Sequence, residues 1–128
     1  MRSLVLFLLA LASSASFAAG LPAQKNEQGG VTVVVRPEVI AAAAQWKFNV
    51  AVDTHAQELA DDLAKSAVLI DARGNELKPV GWTGSKPGGH HRTGILTFAA
   101  LNPAPKAIEL RIKLGADASA RVFRWVLP

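Results

Sequence analysis

WKFNVAVD, residues 46–53, decides the fold class. Trp46, Phe48, Val50 and Val52 fall on one side of an extended chain, and Lys47, Asn49, Ala51 and Asp53 on the other. Strict alternation of this kind belongs to a half-buried strand of an antiparallel sheet. A helix would scatter the four large side chains around its axis.

The same period recurs on both sides of this stretch. Upstream, Val31, Val33 and Val35 alternate with Thr32, Val34 and Arg36 until Pro37 stops the pairing or leaves it at an edge. Val39 to Ala44 reads as a short helical turn or a bend, and Thr54 to Lys65 as a loop with one helical turn. Downstream, Ala67 to Asp71 is a strand, Ala72 to Asn75 a turn and Glu76 to Val80 the return strand. Ile95 to Phe98 is the next strand, and Pro103 and Pro105 mark a connection. Ile108, Leu110, Ile112 and Leu114 alternate with charged residues, and Phe123, Trp125 and Leu127 share a face at the end. About seven short strands in roughly 100 residues predict an all-β, immunoglobulin-like antiparallel β-sandwich, with a small barrel as the rival. Trp46, Trp82 and Trp125 are expected in the core.

Ahead of the first strand, Arg2, the apolar run Leu4 to Leu11 and the small-x-small triplet Ser16-Phe17-Ala18 read as a secretory signal peptide cut after Ala18. The run is shorter than the roughly 20 residues a bilayer span needs. The chain has no cysteine, which excludes lipid attachment and disulfides alike. The organisation expected is residues 1–18 as signal, 19–30 as a flexible lead-in and 31–128 as one sandwich domain, periplasmic or secreted and free of the membrane after cleavage. Without Arg2, thirteen basic side chains stand against ten acidic, a net of +3. No basic run forms the clustered footprint that nucleic-acid binding needs.

The candidate site is WTGSKPGGHHRTGILTF, residues 82–98. Five of the ten glycines fall in it or just before it: Gly81, Gly84, Gly88, Gly89 and Gly94. It also carries His90 and His91, two of the three histidines; the third, His55, follows the Trp46–Asp53 strand. If the two strands are antiparallel neighbours, all three imidazoles meet at one end of the sandwich. Imidazole suits zinc, copper(II) or nickel(II), and such sites need three or four ligands. His55, His90 and His91 with Asp53 would just suffice, with zinc or copper(II) as the cofactor. The other reading is that the histidines only order the loop, by bonding carbonyls across it or packing on Trp82. Lys86 and Arg92 offer the loop a partner-binding role, or Arg92 pairs with Asp53 or Glu58. Ser66, Ser85 and Ser119 lack a nucleophile-elbow context and Asp61-Asp62 reads as a solvated face, so catalysis by a metal-dependent hydrolase ranks last.

DTHAQEL (53–59), AVLIDARGNELKPVGW (67–82) and PGGHHRTGILTF (87–98), followed by Arg121, Phe123 and Trp125, resemble a family of exported bacterial β-sandwich domains of unassigned activity. Thr54, His55, Trp82, Gly88, Gly89, His90, His91, Arg92 and Gly94 carry the likeness, of which the GGHHRxG run is the specific part. The resemblance implies a shared site, without implying a reaction. The expected role is a non-enzymatic binding module for a metal ion or an exported protein partner.

Overall fold

The computed structural model describes residues 20–42 and 44–128, so the signal read over residues 1–18 lies outside it. The described chain forms β1 (Gln24–Gln28), β2 (Val31–Val39), β3 (Trp46–Thr54), α1 (Leu63–Ser66), β4 (Ala67–Ile70), β5 (Glu76–Leu77), β6 (Gly81–Gly84), β7 (His91–Phe98), β8 (Ala107–Ile112) and β9 (Arg121–Val126). The strands pair antiparallel in two sheets, ordered β1-β2-β3-β7-β6 and β5-β4-β8-β9. Leaving β1 aside, this is the ABED sheet facing the C′CFG sheet of an immunoglobulin-like sandwich.

Period-two patterning explains the core. Trp46, Phe48, Val50 and Val52 of β3 are buried, as are Val31, Val33 and Val35 of β2 and Ile108, Leu110 and Ile112 of β8. Phe48 lies edge-on to Phe98 at 5.8 Å between ring centroids and 6.0 Å from Trp125, which stacks on Phe123. Each such side chain contributes about 1.5–3 kcal/mol by leaving water. Trp46 and Trp125 are core as expected, but Trp82 is only half-buried, on the edge strand β6.

Several boundaries differ from the sequence reading. The stretch expected as a flexible lead-in contains β1, paired with β2 from Gln24↔Val35 to Gln28↔Val31. Its inward side chains are glutamines and asparagine, so it lacks the apolar alternation that announces a strand. β2 runs through the buried Pro37 to Val39, with a register shift just after the proline. The β1 ladder ends at Val35, so at Pro37 the β1 side of β2 is an open edge, where proline is tolerated. The return strand read over Glu76 to Val80 shrinks to Glu76–Leu77, and the chain then crosses to the other sheet as β6. β7 begins at His91 rather than Ile95, so Arg92, read from sequence as a loop residue, occupies a buried inward position of the strand.

The turn Gly29-Gly30, the segment from His55 to Ser66, the β6–β7 hairpin and the β8–β9 turn gather at one end, here the upper end. Residues 40–42 and 44–45 and the loops 71–75 and 99–106 gather at the other.

Candidate functional site

The upper end is built on backbone geometry. Gly88 and Gly89 carry φ of 116° and 74°, which L side chains rarely adopt, and this lets the hairpin fold back on the segment after β3. The Gly88 amide donates to the Leu59 carbonyl at 2.8 Å, the Leu59 amide to the Gly89 carbonyl at 2.9 Å, and the Thr54 amide to the His90 carbonyl at 2.9 Å. The Thr54 hydroxyl, buried, donates to the Gly30 carbonyl at 3.0 Å and ties in the neighbouring turn.

Arg92 pins this clamp from inside. It is 1% exposed and donates to the carbonyls of Asp61 (2.6 Å), Ser85 (3.2 Å) and Leu59 (3.4 Å). Its guanidinium lies 5.9 Å from the centroid of the Trp82 ring, whose Nε1 also donates to the Ser85 carbonyl. Such a cation over an indole face is attracted by the ring quadrupole. The Trp82 ring in turn lies over Gly94, where a Cβ would fall 2.6 Å from both the ring and the Thr83 carbonyl. The pairing of Arg92 with Asp53 or Glu58 entertained from sequence is replaced by backbone carbonyls. Sequence spacing held the signal: Arg92 shares a period-two face with Leu96 and Phe98.

The imidazoles stand outside this framework. His91 faces Asp53 across the β3–β7 ladder, with its Nδ1 against the Asp53 Oδ1, and both side chains are about half or more exposed. His55 and His90 are exposed as well, and it is the His90 carbonyl rather than its ring that joins the clamp. The fold thus brings His55, His90, His91 and Asp53 to one end but does not assemble the four-ligand zinc or copper(II) centre. Among the described residues no group of three or more His, Asp or Glu side chains is placed to hold a metal ion. The reason is directional. His91 projects from the first position of β7 beside Asp53, whereas His90 sits in the bend before the strand and joins the clamp through its carbonyl. Asp53 is already engaged by His91.

A second buried guanidinium, missed in the sequence, organises the rest of this end. Arg121 donates to both carboxylate oxygens of Asp117 at 2.8 Å and to the carbonyls of Asn26, Gln28 and Val31. Burial alone would push the Asp117 carboxyl up. Hydrogen bonds from Arg121 and the Leu114 amide, with the charges of Arg121 and Lys113, outweigh it and hold the group below its ordinary value. The signal was again parity, since Arg121 shares the inward face of Phe123 and Trp125.

Two clefts bear on the site. One of about 270 Å³ lies at the upper end between Glu58, Leu59, Asp61, Leu114 and Asp117. A larger one of about 580 Å³, lined by alanines with Trp46 and Leu101, lies at the opposite end, away from the histidines. No helix among the described residues is long and apolar enough to cross a membrane. Compared with family models, curated proteins and solved structures, the chain finds no match.

Proposed function

We propose that this chain is an exported, non-enzymatic binding module that meets a protein partner through the histidine rim of its upper end. One observation carries the reading. The glycines, Thr54, Trp82 and Arg92 of the motif are all spent on holding the loops together, and the imidazoles of His55, His90 and His91 are left facing solvent. Loops fixed by a rigid scaffold are where binding residues concentrate. Imidazole and carboxylate groups there offer donors and acceptors to a partner while the backbone beneath them stays fixed. Among the described residues no three-ligand group is placed to hold a metal ion, which favours a protein partner over metal capture within one chain.

The test compares the native domain with a variant carrying His55→Ala, His90→Ala and His91→Ala, each immobilised and exposed to the exported protein fraction of the source cells. The variant is expected to keep the native melting temperature and lose the partner the native domain retains. Identical retention by both would discard the rim as the binding surface. Calorimetric titration with zinc and with copper(II) is expected to show no saturable heat; stoichiometric uptake would restore the metal reading.

A further inference from the structure

β1 is attached to the sandwich through side-chain amides rather than an apolar face. Gln24, Asn26 and Gln28 point inward, and in the segment from Leu21 to Gln28 only Leu21 packs against the apolar core. The Gln24 amide occupies the open edge of β9, accepting from the Arg124 amide at 3.1 Å and donating to the Arg124 carbonyl. The Gln28 amide pairs in the same way with the β8–β9 turn just before β9, accepting from the Ala118 amide at 3.0 Å and donating to the Ser119 carbonyl at 3.1 Å. Arg121 holds the carbonyls of Asn26 and Gln28 between them, and Trp125 Nε1 donates to the Pro22 carbonyl at 2.7 Å.

Apart from β2, which follows it directly, all these partners lie 90 or more residues away in sequence. The slot that receives β1 is formed without it. One wall is the edge of β2, whose inward valines are buried under the facing sheet. The other is the edge of β9, with Arg121 already fixed by Asp117. The link between strap and slot is Gly29-Gly30, with φ of 58° and 75° and nothing within 4 Å of either Cβ position. Glycine there takes the turned and the extended conformation with similar ease.

We propose that the slot between β2 and β9 is a strand-acceptor site and that it takes β1 from a second copy of this chain, in reciprocal exchange. Every bond that β1 makes in its own molecule is available in the second, so the exchange changes only the hinge. When Gly29-Gly30 straightens, β1 and β2 run on as one strand. The two upper ends, from which the hinge leaves, then face each other.

Gly30→Pro tests this directly, because proline cannot adopt a positive φ and disfavours a turned residue before it. The expected product is a dimer, with the scattering mass doubled and the near-UV circular dichroism of the native domain retained. A monomer whose Gln24–Gln28 amides exchange freely with solvent would overturn the proposal. A second arm uses the native chain, held at high concentration a few degrees below its melting temperature. A dimer fraction that grows with concentration, and disappears when three serines are inserted between Gly29 and Gly30, supports exchange. No dimer at any concentration, or a dimer indifferent to the inserted serines, refutes it.

Discussion

Trp46 and Gly94 show how much of this fold rests on single positions. Trp46 is 1% exposed, and its Nε1 donates to the Ala41 carbonyl at 3.0 Å. Trp46→Ala is expected to cost about 3–5 kcal/mol, as large aromatic truncations in cores do. Urea unfolding followed by the remaining tryptophans measures it, and an unchanged midpoint would remove Trp46 from the core. Gly94 is the opposite case, a position where any added atom is too many. Gly94→Ala would set a methyl group 2.6 Å from the Trp82 ring and the Thr83 carbonyl. A cost of about 1–3 kcal/mol is expected from this overpacking, with a change in Trp82 fluorescence because the indole must shift. A variant as stable as the native chain would show that β6 yields at no cost.

Among elements, the clamp of the upper end depends on the geometry of one guanidinium. Arg92→Lys keeps the charge but replaces a planar fork by a single ammonium, which cannot meet the three carbonyls at once. The expected result is a loss of about 2 kcal/mol or more, in line with breaking a buried charged network. Hydrogen exchange should report it locally, with the Leu59 and Gly88 amides losing protection while β8 and β9 keep theirs. The strands themselves were legible to different degrees. β3 and β8 alternate apolar and polar residues over a fully buried face and β4 is a short all-apolar run before a turn, so their sequences announce them. β1 fills its inward positions with amides because it faces the seam with β9 rather than the core, and hydropathy is blind to that. β6 and the first half of β7 were hidden by glycines and by Arg92, residues chosen for close approach and for hydrogen bonding to loop carbonyls. For the same reason the site was half legible. The sequence marks which residues gather at the upper end, but only the pairing of His91 with Asp53 and the carbonyl partners of Arg92 reveal what each one does there.

For the molecule as a whole, acid is the discriminating condition. Asp117 has its carboxyl held below the ordinary value of 3.8 in the folded chain. A depressed carboxyl stabilises the fold fully above its unfolded value and loses that contribution as pH falls through the lower, folded one. Stability is therefore expected to be flat in this respect from neutral pH down to about 4 and to decline below it. Asp117→Asn should lower stability at neutral pH and flatten the decline. Urea midpoints measured from pH 6 to pH 2.5 check this, and equal slopes for variant and native chain would assign the acid sensitivity to other groups. The two buried guanidiniums consequently part company. Arg121 leans on a carboxylate that protons can neutralise, whereas Arg92 leans on peptide oxygens and an indole, which do not titrate in this range. Strong acid, below about pH 4, would thus slacken the seam between β1 and β9 first, while the guanidinium beneath the histidine-bearing hairpin keeps its uncharged partners.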